Sequence, residues 1–272
     1  MKTPSRPVLD SILTMIAGAL VLFGCDDPAK DSPTGERFDV GIYTGAGAFG
    51  ESVKASFAVV RNSGFTCDSI DLDDLGDNSI ELYSAILFPG GDTRLYSDLV
   101  GPVGRGVIRS FIADGGGYIG FGAGGAFAVA DSGSWPGIGL INGSTRYPSD
   151  RIIPNPYYGI TEITQARSSG PVTRADRYQT LYYGGPEFFP SNEAELSVDY
   201  HYTITGTTAA LSGSYGLGRF WVAGFQPEIE EGNSRDATTF GDDLADLDSE
   251  WDLIEAALDY TVGIGVSEVD QR

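Results

Sequence analysis

Residues 118–128 read Tyr-Ile-Gly-Phe-Gly-Ala-Gly-Gly-Ala-Phe-Ala, and this stretch decides the fold. Residues 118–121 have the continuous apolar character of a short strand buried on both faces. No polar loop follows. Through Gly122 the chain passes straight into residues 123–130, whose small side chains continue as a helix. A strand that ends at a glycine and turns at once into a helix describes a sharp elbow.

Outward from that elbow, strand and helix patterns alternate. Residues 38–43 form an apolar strand, and residues 52–61 carry Val53, Phe57 and Val60 at helical spacing. Residues 65–72 alternate as a strand, and residues 84–88 are continuously apolar and end in Pro89-Gly90-Gly91-Asp92. Residues 103–113 place Val107, Ile108, Phe111 and Ile112 on one helix face, and Gly115-Gly116-Gly117 ends that helix. Buried strands separated by helices predict a parallel, doubly wound sheet. Beyond residue 131 the chain is rich in Gly, Pro, Ser and Tyr. It carries short strands at 158–163 and 179–183, then antiparallel ones at 196–205, 208–212 and 219–225. A last helix, 251–262, turns Leu253, Ile254, Ala257, Leu258 and Val262 inward. The expected class is α/β: a flavodoxin-like doubly wound parallel sheet with an antiparallel β extension in the second half.

Composition narrows the partners. The 272 residues include 17 basic and 38 acidic side chains, for a net charge of −21. Such a surface repels phosphate backbones and anionic lipid, so no nucleic-acid partner is expected and membrane attachment must come from something other than basic patches. The amino-terminal segment supplies that something. Lys2 and Arg6 precede an apolar run over residues 12–23, too short to span a bilayer but suited to a secretory signal. It ends in Leu22-Phe23-Gly24-Cys25, which resembles the lipobox of bacterial lipoproteins and implies acylation of Cys25 as the new first residue. Lipidation there anchors the chain to a bacterial membrane, on the periplasmic side or the cell surface. Asp26 resembles an inner-membrane retention signal of some Gram-negative bacteria. The expected divisions are a signal at 1–24, a Pro-containing polar tether at 25–37, the globular domain at 38–262 and a tail at 263–272. With Cys25 acylated, Cys67 has no intrachain partner, and no disulfide is expected.

Several motifs invite chemistry. Gly45-Ala46-Gly47-Ala48-Phe49-Gly50 matches G-x-G-x-x-G, with Asp68 and Asp71 about 20 residues on, as in a dinucleotide site. A tight turn before the first helix explains the same glycines, and no cofactor is expected. The acid-rich stretches 71–77 and 242–252 lack the spacing of a calcium loop and read as solvated loops plus an acidic helix start; no metal is expected. His201, the only histidine, lies among tyrosines in a strand, where a structural role is the ordinary one. Ser132 and Ser134 follow the elbow helix without a recognisable base.

Four ordered segments resemble class I glutamine amidotransferases, particularly the biotin-protein-ligase amino-terminal-like branch. They are the elbow at 118–128, Pro89-Gly90-Gly91-Asp92, Tyr183-Gly184-Gly185-Pro186-Glu187-Phe188, and the terminal strand ending in Gln226-Pro227-Glu228. In that family the elbow carries a cysteine, and the terminal motif is His-Pro-Glu. Here those positions are Gly122 and Gln226, and only Glu228 remains. The resemblance implies that backbone N–H groups of Gly90, Gly91 and Ala123 form an oxyanion-type site. It also implies that thiolate chemistry is gone, because glycine has no side chain and glutamine does not titrate near neutral pH. The expected function is a membrane-anchored binding or scaffold module for a small-molecule or protein ligand at the former active-site cleft. The alternatives are a hydrolase using substitute residues near the cleft and, more weakly, cofactor binding at the first glycine turn.

Overall fold

The computed structural model describes residues 37–131, 135–166, 170–191, 196–246 and 249–263. The expected signal and nearly all of the tether and of the tail lie outside them, as do Cys25, Ser132 and Ser134. In the first half, strands and helices alternate: β1 (Phe38–Tyr43), α1 (Gly50–Asn62), β2 (Cys67–Ile70), α2 (Leu72–Asp77), β3 (Tyr83–Phe88), α3 (Thr93–Ala113), β4 (Gly117–Phe121) and α4 (Ala123–Ala128). Strands β5 (Val129–Asp131), β6 (Ile141–Arg146), β7 (Tyr158–Gln165), β8 (Arg177–Tyr183) and β9 (Glu187–Pro190) follow. The chain then forms β10 (Leu196–Tyr202), β11 (Thr208–Tyr215), β12 (Gly218–Ala223) and α5 (Trp251–Val262). The sheet order is β2-β1-β3-β4-β12-β11-β10-β7-β8. Strands β2 through β12 in that order are parallel, and the remainder is antiparallel. The expected α/β class with its antiparallel extension is the fold observed.

Period-two alternation explains why both faces of the parallel strands are covered. Val40, Ile42, Ala85, Leu87, Ile119, Phe121, Trp221 and Ala223 pack on one side with Val59 and Val60 of α1 and Leu253, Ile254, Ala257 and Leu258 of α5. Ile86, Phe88, Tyr118, Phe220 and Val222 pack on the other with Tyr96, Ile108 and Ile112 of α3 and Phe127 of α4. Each Val, Leu, Ile and Phe among them contributes about 1.5–3 kcal/mol of apolar burial.

Some boundaries differ from those the sequence suggests. Helix α3 starts at Thr93 rather than residue 103, because Asp92 accepts the N–H groups of Arg94 (2.9 Å) and Leu95 (3.2 Å) as its cap. The helix then kinks at Gly101 (φ 61°), just before Pro102, and that interruption hides its first turns in the apolar pattern. The acid-rich 71–77 stretch is not a loop. Asp71 and Asp74 form a reciprocal capping box that folds it into α2. In 242–252, Asp242 and Asp243 are exposed, but Asp246 and Glu250 are buried. The small residues of α4 allow a close approach. A methyl on Gly124 would overlap the Phe88 carbonyl and one on Gly125 the Ala223 carbonyl, so α4 lies directly over the ends of β3 and β12.

Candidate functional site

At the carboxyl ends of the parallel strands lies a cavity of about 520 Å³, within the range of small-molecule sites. Its floor comes from the β1–α1 turn (Gly47, Ala48, Phe49) and the β3–α3 turn (Gly90, Gly91, Asp92), the point where the strand order reverses. Leu95, Tyr147, Pro148, Pro156, Tyr157, Tyr183, Gly184 and Gln226 complete it. The two glycine turns are knitted together: Phe49 N–H donates to the Gly90 carbonyl at 2.8 Å and Asp92 N–H to the Gly47 carbonyl at 2.8 Å. A Cβ on Gly91 would overlap the Gly47 carbonyl. That contact is what the G-x-G-x-x-G turn and the Pro-Gly-Gly turn accomplish locally. Asp68 is exposed on β2, and Asp71 is occupied in its cap.

Behind the floor stands the elbow. Gly122 has φ 48° and ψ −107°, a conformation costly for a residue bearing a side chain. Its N–H donates to the Ala223 carbonyl at 2.9 Å, and its carbonyl accepts Ala126 N–H at 3.0 Å. Gln226 fills the space a side chain there would use: a Cβ on Gly122 would overlap Gln226 Nε2. The amide is itself fixed, with Oε1 accepting the Tyr183 N–H at 2.8 Å and Nε2 donating to the Tyr183 carbonyl at 3.4 Å. Ala123 is buried, and neither it nor Gly122 lines the cavity.

Glu228 lies deeper, fully buried. Ser52 Oγ donates to Glu228 Oε1 at 2.5 Å and accepts the Gly90 N–H at 2.8 Å, so the backbone donor of Gly90 is consumed within the protein. Burial pushes the Glu228 carboxyl up to about 8, against the pull of the Ser52 bond, so at neutral pH it is chiefly the uncharged acid. Glu231, also driven up to about 8 by burial and by Asp246, lies in the same acidic stretch. Around it, Glu230 pairs with Arg235 at 2.7 Å, and Trp251 Nε1 donates to the Glu228 carbonyl at 3.1 Å. Among the described residues no group of three or more His, Cys, Asp or Glu side chains could hold a metal ion.

A family model described as "Biotin-protein ligase, N terminal" matches residues 38–133. No curated protein matches the chain. Among solved structures, a glutamine amidotransferase from Thermotoga maritima aligns with TM-score 0.56 at 12% identity, covering 84% of this chain and 99% of that one. PurLQS from Thermotoga maritima aligns with TM-score 0.54 at 15% identity, covering 82% of this chain and 99% of that one. A putative ThuA-like protein from Bacteroides uniformis gives 0.53 at 14% identity, over 86% and 94%. The fold is glutamine-amidotransferase-like. Residues 38–133 are similar to the amino-terminal part of biotin-protein ligase.

On this amidotransferase-like frame the three segments 89–92, 118–128 and 226–228 converge, although they are far apart in sequence. Gly90, Gly91 and Gln226 face the cavity; Gly122, Ala123 and Glu228 sit behind it. His201 on β10 and half-buried Cys67 on β2 lie outside the cavity lining. Sequence reading missed Ser52, whose partner is 176 positions away, and it missed the aromatic wall. Phe49 and Tyr183 have ring centroids 5.6 Å apart, and Phe240 packs at 5.0 Å from Phe49 and 5.1 Å from Tyr183. The Tyr147–Pro148 wall is held through Ser149, whose Oγ donates to buried Glu187 at 2.5 Å; Arg151 pairs with that carboxylate at 3.3 Å.

Proposed function

We propose that this chain is a membrane-anchored, non-catalytic binding module that uses the cleft of an amidotransferase-like fold, tethered through a lipid on Cys25. The observation that carries this reading is the side chain of Gln226, which fills the position a nucleophile at residue 122 would need. A cavity of about 520 Å³ remains in front of it. Among the residues lining that cavity there is no serine, cysteine or histidine, so a substitute nucleophile-base pair has no support there. Phe49, Tyr147, Tyr157 and Tyr183 instead offer broad, preorganised contact area, which suits recognition. The acidic surface and the lipobox-like segment fit an exported, lipid-anchored location at the periplasmic side or cell surface.

The test is native mass spectrometry of the protein extracted from its own membrane. A small molecule that co-elutes with the wild type and is lost from Ala48→Trp, which narrows the cavity, would support the reading. Wild type that carries nothing and turns over glutamine or an activated ester would overturn it.

A further inference from the structure

The chemistry of the cavity wall goes further than the presence of a cleft. Four aromatic side chains line it: Phe49, Tyr147, Tyr157 and Tyr183. Each is fixed from outside. Phe49 and Tyr183 pack against one another and on Phe240. Tyr147 donates its hydroxyl to the Gly91 carbonyl at 3.1 Å. Tyr157 is held at φ 64°, unusual for a residue with a side chain, with its N–H on the Pro154 carbonyl (2.8 Å) and its carbonyl on the Gly184 N–H (2.9 Å).

The charges are one-sided. Asp92 is the only ionisable acid or base among the lining residues other than the tyrosines, and no Lys, Arg or His lines the cavity. Asp92 Oδ1 caps α3, while Oδ2 lies 3.6 Å from the guanidinium of Arg94. Both side chains are about half exposed, so solvent screens that pair, and of the two only Asp92 belongs to the cavity lining. The whole chain carries −21, which raises the local concentration of cations. Aromatic faces present negative quadrupole to a ligand. An anion would find no cationic side chain on the lining, whereas a cation without tightly held water meets four aromatic rings and one carboxylate.

The geometry points to a small organic cation, an alkylated ammonium, as the ligand class of this cleft, bound among the rings of Phe49, Tyr147, Tyr157 and Tyr183 with the Asp92 carboxylate on the same lining. This rests on the binding-module reading proposed above. Three probes of one shape separate charge from shape: choline, its neutral isostere 3,3-dimethyl-1-butanol, and the anionic 3,3-dimethylbutanoate. They are titrated into the full chain in detergent micelles and read by NMR shifts of the cavity residues. Choline is expected to bind at least about tenfold more tightly than the neutral isostere, a difference of about 1.4 kcal/mol. Asp92→Asn keeps a helix cap and removes the charge; it should lower choline affinity severalfold and leave the neutral probe unchanged. Phe49→Leu should weaken choline more than the isostere. Neutral or anionic probe binding as tightly as choline overturns the cation and leaves the cleft reading standing. Binding of none of the three overturns the cation, while the binding-module reading is decided separately by the native mass spectrometry described above.

Discussion

Gln226 Nε2 stands where a Cβ on Gly122 would begin, and the two residues therefore exclude one another's side chains. Gly122→Ala meets two obstacles, the Gln226 amide and a backbone at φ 48°. We expect it to cost about 2–4 kcal/mol, the sum of overpacking and backbone strain. In a Gln226→Ala background the overlap is gone and only the strain remains, so the cost should fall by about 1 kcal/mol or more. Urea denaturation of the four proteins measures the coupling. Additive effects would show that Gln226 does not fill the elbow.

Glu228 gives the fold a pH dependence of definite sign. Its carboxyl rises from an ordinary 4.5 to about 8 in the folded state through burial. The folded protein thus holds a proton that the unfolded chain releases. Its contribution is complete below about pH 4.5 and is lost as pH rises through about 8. Glu228→Gln keeps the acceptor for Ser52 and removes the titration. Between pH 5 and pH 9 the wild type should lose on the order of 2 kcal/mol more stability than the variant. Some slope should persist in Glu228→Gln, since Glu231 is raised in the same direction. Thermal melts across that range decide it, and parallel profiles would mean that Glu228 is charged when folded.

Much of this arrangement was legible in the sequence, and what was not has physical reasons. Alternation and helical spacing identify β1, β3, β4, β12 and α5 because each buries a continuous stripe. Glycines identify the elbow and the Pro-Gly-Gly turn because backbone approaches there leave no room for a methyl. The aromatic wall was illegible. Tyr147 and Tyr157 sit in loops without periodicity, and their positions depend on Glu187 and Gly184 from another segment. The burial of Glu228, Glu230 and Glu231 was illegible too, since no local pattern records that Ser52 and Trp251 bond Glu228 and that Arg235 pairs with Glu230.

Lipidation is tested away from the cleft. Leu22-Phe23-Gly24-Cys25 followed by Asp26-Asp27-Pro28 switches sharply from apolar to polar at the cysteine. Cells fed a clickable fatty acid should label the wild type and leave Cys25→Ala unlabelled and released from the membrane fraction. Equal labelling of both proteins would refute acylation at that position.

The last expectation concerns turnover. Amide hydrolysis on this fold would require a nucleophile at the elbow and a titrating base at the end of β12. Gly122 provides no side chain, and Gln226 exchanges no proton near neutral pH. Ser52, the serine in contact with the site, is fully buried with its oxygen shared between Glu228 and the Gly90 N–H. It cannot reach a substrate in the cavity without breaking both bonds. Ammonia release from glutamine, and hydrolysis of activated esters and amides, should therefore stay at the uncatalysed rate. The pair Gly122→Cys with Gln226→His restores the residue types on paper. It should gain little, because the Gly90 N–H remains committed to Ser52 and Ala123 remains shut behind residue 226. Steady-state assays of both proteins check this. Wild-type turnover well above background, retained in Cys25→Ala and abolished by Ser52→Ala in a protein that still folds, would show that Ser52 leaves its buried position to act.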